Sequence, residues 1–202
     1  MNSYLSSSLI TYPHQNAESD DTTSKVVIRT AQSQDLPGLA EVLTYSFHSF
    51  KGMSNWLYPL VQLGIYEDLK RRLTSKSNDQ VCLVAVKLVP NCQPIVVGTV
   101  EITLKSANWT LQRSYYPYIS NLAVVSNSRR QGIASQLLIK CEQVAQQWQH
   151  QQVYLHVLEN NYGARALYSL LGYQLAHTEW SLNSWLWSTP QRLLLSKKLV
   201  SN

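Results

Sequence analysis

Between Tyr118 and Trp148 the hydrophobic period of the chain changes once, and that change constrains the fold more than any other stretch. Tyr118 to Val125 (YISNLAVV) is apolar and β-branched enough for a buried strand. Ser126, Asn127 and Ser128 supply turn chemistry. Beyond Gly132, the residues Ile133, Leu137, Cys141, Val144, Ala145 and Trp148 recur at helical spacing, with Gln136, Lys140, Gln143 and Gln147 on the opposite face. The segment therefore reads as strand, basic glycine turn and helix. A helix starting there presents unpaired N–H groups and the positive end of its dipole, which suits an anion. Gly132 lets the backbone approach such a ligand closely, and Ala134 is small for the same reason. Arg129 and Arg130 add charge and donors for phosphate oxygens. An ordinary turn with a solvated arginine pair has the same pattern, because one glycine makes a weak motif. No Gly-Lys-Ser/Thr follows, so this is not a Walker A loop. The other two glycines of a dinucleotide fingerprint are missing as well.

The 202 residues suit one domain with a real core, and 45% hydrophobic against 14% charged residues argues for a folded chain. A net charge of +5 fits an anionic ligand or an acidic partner. Nucleic acid is an unlikely partner, because Arg71-Arg72, Arg129-Arg130 and Lys197-Lys198 fall in different elements and no basic run of five appears. Cys82, Cys92 and Cys141 are odd in number and lack a CxxC pair. They read as reduced thiols in a reducing compartment, the cytoplasm or, alternatively, a plastid stroma. No metal site is expected. No apolar run reaches the length of a membrane span, and the N-terminus lacks a basic-then-apolar signal.

In chain order, residues 1–24 are rich in Ser, Thr, Asn and Asp and are expected to form a flexible tail ahead of one domain over 25–202. Lys25 to Thr30 reads as a strand, followed by Asp35 as helix N-cap with Leu36, Leu39, Ala40 and Leu43 after it. Residues 46–60 are aromatic and irregular, and Val61 to Leu73 reads as a second helix. Gln80 to Val89 and Ile95 to Leu104 read as strands, with Gly98 a candidate bulge. Residues 105–117 read as a polar and aromatic loop. Gln152 to Leu158 is the next strand, Tyr162 to Leu171 a helix stopped at Gly172, and Tyr173 to His177 and Arg192 to Leu199 the last strands. Between those two lies the Trp-rich run 180–187.

Arg129, Gly132 and Ala134 resemble motif A of the GCN5-related N-acetyltransferase (GNAT) family, Gln/Arg-x-x-Gly-x-Gly/Ala. Asn161-x-x-Ala164-x-x-Leu167-Tyr168 and Gly172-Tyr173 match a second family motif at the expected distance downstream. The resemblance spans roughly residues 25 to 199 and is densest from 118 to 173. It implies an α/β (α+β) fold with a mixed, mostly antiparallel sheet flanked by helices, in the order β-α-α-β-β-β-α-β-α-β-β. It also implies acetyl-coenzyme A as cosubstrate. On this resemblance Arg129, Arg130, Gln131, Gly132, Ile133, Ala134 and Ser135 form the pyrophosphate loop. The backbone of Leu122, Ala123 and Val124 holds the pantetheine arm, and one of its N–H groups polarises the thioester oxygen. Asn161 contacts the coenzyme, and residues 46–60 lie over the acceptor.

Acetyl transfer to an amine needs a neutral amine, a polarised carbonyl and a proton for the departing thiolate. Tyr168 shares an apolar helical face with Ala164, Leu167 and Leu171, so it points inward. From the residues alone it is a core tyrosine; the resemblance makes it the acid facing the coenzyme sulfur. In Val153-Tyr154-Leu155-His156-Val157, Tyr154 and His156 share one face of a strand. A lone strand histidine is commonly structural. Leu-His-Val placed five residues before Asn161, with Tyr118-Ile119-Ser120-Asn121-Leu122, is similar to an N-terminal acetyltransferase branch in which such a His is the base and such a Tyr its helper. Other family members carry Glu at the His156 place. The stretch Ile119 to Tyr173 is similar to plastid and cyanobacterial GNATs that act on protein N-termini and lysines, which implies a protein or peptide amine as acceptor. A free small-molecule amine and a non-catalytic coenzyme-A-binding or interaction module are the alternatives.

Overall fold

The computed structural model describes residues 25–47, 58–74, 78–107, 114–179 and 190–200. The expected tail at 1–24, most of the aromatic stretch 46–60 and the Trp-rich run 180–187 lie outside the described residues. The elements are β1 (Lys25–Thr30), α1 (Leu36–Phe47), α2 (Tyr58–Thr74), β2 (Gln80–Leu88), β3 (Ile95–Ala107), β4 (Ser114–Val124), α3 (Ile133–Gln147), β5 (Gln152–Leu158), α4 (Tyr162–Leu170), β6 (Gln174–Glu179) and β7 (Arg192–Lys198). Their order is the one the sequence predicts. The strands form one sheet in the order β1-β2-β3-β4-β5-β7-β6. Every neighbouring pair is antiparallel except β4 and β5, which are parallel and joined through α3.

Strand alternation sends side chains to two cores. Leu83 and Ala85 of β2 join Val100, Ile102, Leu155 and the buried stripe of α3, with Leu137, Leu138, Cys141 and Ala145 fully buried. Cys82, Val84 and Val86 point the other way and meet Leu39, Ala40, Val42 and Leu43 of α1 and Leu69 of α2. Tyr168 of α4 belongs to the first cluster, with Ala164, Leu167 and Leu171 packed against it. Thus α3 and α4 share one face of the sheet, and α1 and α2 cover the other. Cys82 and Cys141 are buried free thiols, and Cys92 is exposed.

Three readings of the sequence need correction. The loop expected at 105–117 is largely strand: β3 runs to Ala107 and β4 starts at Ser114, with Lys105↔Tyr116 and Ser106↔Tyr115 in register. Cross-strand pairing holds a stretch whose own pattern is too polar to announce it. Asp35 is not the first cap. A 3-10 turn, Ser33–Asp35, precedes α1, and the Asp35 carboxylate accepts from the Gln32 N–H at 2.7 Å. It also binds both terminal nitrogens of Arg29, at 2.6 and 2.9 Å. Leu171 caps α4 rather than extending it, and Gly172 follows at φ 85, where L residues are disfavoured.

The register slips between Ala85 and Val86, which face Gly98 and Val96, so Val97 is the extra residue beside the glycine that marked a candidate bulge. Close packing also explains Gly38 in α1. A methyl group there would sit 2.9 Å from Val96 Cβ and 3.0 Å from its Cγ2. Gly to Ala in a helix is worth ~1 kcal/mol in favour of Ala, whereas forcing an extra methyl into a packed contact costs ~1–3 kcal/mol. Overpacking should win. Gly38→Ala is expected to lower the urea midpoint, and the same change in a Val96→Gly background, which removes the Cβ as well, is expected to raise it.

Candidate active site

The parallel strands β4 and β5 pair only at Tyr118↔Tyr154 and Ile119↔Leu155 among the described residues. The cause lies in β4. Its register against β3 slips between Thr99↔Ala123 and Glu101↔Ser120, so two residues, Asn121 and Leu122, oppose Val100. Asn121 takes φ 55, the left-handed conformation that Asn tolerates better than most residues. The bulge re-aims the end of β4, and beyond Ile119↔Leu155 the two parallel strands part toward their carboxyl ends, a common place for ligands.

Below the bulge the site is aromatic and titratable. Tyr118 is 7% exposed and its Oη lies 2.8 Å from His156 Nδ1. The Lys105 ammonium sits 3.4 Å from the centre of the Tyr118 ring, a cation–π contact. Tyr116 and Tyr154 meet edge to face at 5.2 Å next to it. On the other side, Tyr168 is 7% exposed and tilts against Tyr173 at 5.8 Å. Burial, with a smaller contribution from Tyr118, pushes the Tyr168 phenol up to about 12. It therefore keeps its proton across the physiological range and is available as a proton donor. Burial raises the Cys82 thiol to about 12 and pushes Cys141 up as well, so neither is a ready nucleophile.

Above the bulge, Val124 leads through a 3-10 turn at Ser126–Ser128 into the basic loop. Arg130 at φ 64 and Gly132 at φ 76 wind it tightly. The first amides of α3 receive no side-chain cap, and Gly132 presents open space, with only Gln136 Nε2 at 4.0 Å from a would-be Cβ. This cradle of bare N–H groups fits a phosphate. The loop residues divide by role. Arg129 Nε donates to Val124 O at 2.9 Å and so staples the loop to the strand. Arg130 and Gln131 are exposed, Ala134 and Ser135 are half-buried, and the Ile133 side chain is in the core. Ile133 can thus offer a ligand only its backbone. Ala123 and Val124 are buried and Leu122 is half-buried. Asn161 is the N-cap of α4, its Oδ1 accepting from Ala164 N at 3.2 Å.

The structure therefore brings Tyr118 and His156 into direct contact. Sequence reasoning passed over Glu101, Asn121 and Lys105. A glutamate inside the apolar run Ile95 to Leu104 and an asparagine inside Tyr118 to Val125 were the available signals. Among the described residues no group of three or more His, Cys, Asp or Glu forms a metal cluster, and no helix is long and apolar enough to cross a membrane.

The chain is 27% identical over 195 residues to the chloroplastic GCN5-related N-acetyltransferase 10 of Arabidopsis thaliana, an alignment covering 91% of this chain and 70% of that one. Its fold resembles the PaiA N-acetyltransferase of Thermoplasma acidophilum in complex with coenzyme A, with a TM-score of 0.64, 19% identity, and 86% and 99% of the two chains covered. It also resembles the ribosomal-protein-alanine N-acetyltransferase of Brucella melitensis, with a TM-score of 0.61, 19% identity, and 86% and 99% covered. The model of the acetyltransferase (GNAT) family matches residues 51–173, which include the bulged strand, the basic loop and both tyrosine-bearing motifs, and the chain belongs to that family of acetyl-coenzyme-A-dependent N-acetyltransferases.

Proposed function

We propose that the chain transfers the acetyl group of acetyl-coenzyme A to an amine of a protein or peptide, an N-terminal α-amine or a lysine side chain. The observation that carries this reading is the 2.8 Å contact between Tyr118 Oη and His156 Nδ1 across the point where β4 and β5 part. It makes a proton acceptor for the amine where the strands part, with the buried Tyr168 phenol as the proton donor.

The cosubstrate supplies an activated acetyl thioester. The backbone of Leu122, Ala123 and Val124 lies along the pantetheine arm, and one N–H there polarises the thioester oxygen. The loop from Arg130 to Ser135 and the bare N-terminus of α3 hold the pyrophosphate. Arg129 keeps that loop attached to the strand, and Asn161 flanks the coenzyme at the start of α4. His156, helped by Tyr118, takes the proton from the attacking nitrogen. The nitrogen bonds to the carbonyl carbon, the C–S bond breaks, and Tyr168 returns a proton to the sulfur. Residues 25–202 act as one catalytic unit.

Two findings support a protein acceptor. The residues around Tyr118 include Tyr116, Tyr154 and Lys105, side chains able to contact a peptide chain. The Brucella melitensis enzyme of the same fold is named for a protein substrate. The chloroplastic relatives and the buried free thiols support a reducing compartment, plastid or cytoplasm.

The test is coenzyme A release from acetyl-coenzyme A with three sets of acceptors: free-N-terminus peptides, N-blocked lysine peptides and small amines. Turnover on either peptide set is the expected result. Turnover confined to small amines would replace the acceptor, and tight cosubstrate binding without turnover would point to a binding module.

A further inference from the structure

Glu101 on β3 is 1% exposed, yet it is a carboxylate in the middle of a sheet. Its Oε2 accepts from Arg72 Nη1 of α2 at 2.8 Å and from Asn121 Nδ2 at 2.9 Å. Arg72 is held in turn by Asp68 at 2.5 Å. Asn121 is the left-handed residue of the β4 bulge. The backbone assigned above to the thioester begins one residue later, at Leu122. The direction in which those N–H groups point follows from the bulge, and the bulge is tethered by its side chain to a buried anion.

We propose that Glu101 is a positioning residue for acetyl transfer: through Asn121 it fixes the β4 bulge so that the N–H groups beyond it meet the thioester oxygen, and through Arg72 it ties that geometry to α2. The inference rests on the acetyl-transfer reading and adds to it a residue that touches neither substrate. It also links the two substrates' sides. Helix α2 follows the stretch 46–60 expected over the acceptor, whereas the bulge serves the donor.

Stability alone does not account for this carboxylate. Burial raises its pKa, the charges of Arg72 and the Asn121 bond offset that only in part, and Asp68 adds to the rise. The sign follows. A carboxyl whose folded pKa lies above its unfolded value favours the fold at low pH, and that benefit is lost as pH rises through the folded pKa. The ionised form of Glu101 therefore works against stability relative to the protonated form. Its Oε1 has no hydrogen-bond partner among the described residues. Glutamine has the same shape and removes the charge. A purely structural ion pair and a positioning anion consequently predict opposite pairings of stability and rate.

The experiment compares Glu101→Gln, Asn121→Gly and the double variant with wild type, reading Tm, acetyl-coenzyme A affinity and kcat with both substrates saturating. Glycine keeps the left-handed bulge without strain and cuts only the tether. The expected result for Glu101→Gln is an unchanged or higher Tm, near-wild-type coenzyme affinity through the distant pyrophosphate loop, and kcat lower by about 10- to 100-fold, the scale of a misaimed oxyanion donor. Asn121→Gly should show a similar loss, and the double variant no further loss, because glutamine weakens and glycine removes the same charge-assisted link. A kcat within about 2-fold of wild type in either folded single variant would overturn the inference, as would losses that multiply in the double variant. Wild-type protein that neither binds nor turns over acetyl-coenzyme A would instead overturn the acetyl-transfer reading beneath it.

Discussion

Tyr168→Phe is expected to lower kcat by about 100- to 10,000-fold, the range for loss of a general acid. The ring and its packing against Tyr173 survive the change, so the fold should be little disturbed. The lower part of the range is the better estimate, since a thiol with a reference pKa of ~8.5 is already a fair leaving group. The phenol sits at about 12 because it is buried, so it remains protonated well above neutral pH. Its loss should therefore scale the pH–rate profile down without moving the alkaline limb below about pH 11. Steady-state kinetics of the purified variant from pH 6 to 10 check this. A variant with wild-type kcat would leave Tyr168 as a core residue only.

The second large effect is at the His156–Tyr118 pair. His156→Ala is expected to reduce kcat/KM by about 100- to 10,000-fold near neutral pH. Adding Tyr118→Phe should cost much less than its single effect multiplied in, because the 2.8 Å contact makes the two act as a unit. The pH dependence identifies the acceptor. Without a base, the rate follows the fraction of amine that is already neutral. An α-amine, with a pKa of ~7.7–8.0, is mostly free by pH 9, so the defect should shrink there; a lysine at ~10.4 should show a rate still climbing. Measuring kcat/KM for both peptide classes against pH separates the cases. Additive losses in the double variant would mean that the pair does not work together.

Gly38→Ala tests packing rather than chemistry, and the Glu101 and Asn121 variants test positioning. They differ in what they should spare. The first should leave kcat intact, while Glu101→Gln should leave stability intact.

Much of this was legible before any coordinates. The element order follows from local periodicity: period two in Gln152 to Leu158, period 3.6 in Ile133 to Gln147, and a switch between Val125 and Ile133. The basic loop was readable because its glycine and arginines are contiguous. Tyr118 and His156 could be named through the resemblance to an N-terminal acetyltransferase branch, since strand alternation showed only that Tyr154 and His156 share a face. The extended ends of β3 and β4 were not readable, since Lys105, Ser106, Tyr115 and Tyr116 are held by each other across the hairpin rather than by their own pattern. Asp35 looked like a cap because a short polar residue precedes an apolar run. It is instead the last residue of a 3-10 turn, its carboxylate accepting from the Gln32 N–H and from Arg29 six positions earlier on β1.

What sequence alone determined is whatever depends on neighbours along the chain: the strands, the helices, the basic glycine loop and the inward face of α4. What only the tertiary structure decided is whatever depends on residues far apart in number. Tyr118 and His156 are 38 positions apart, Glu101 and Arg72 are 29, and Glu101 and Asn121 are 20. The first and third exist because the sheet's register brings strands together, and the second because α2 packs on the sheet face that holds Glu101. A one-residue slip at Asn121 reverses which side chains face which layer, and no local pattern records on which strand such a slip will fall.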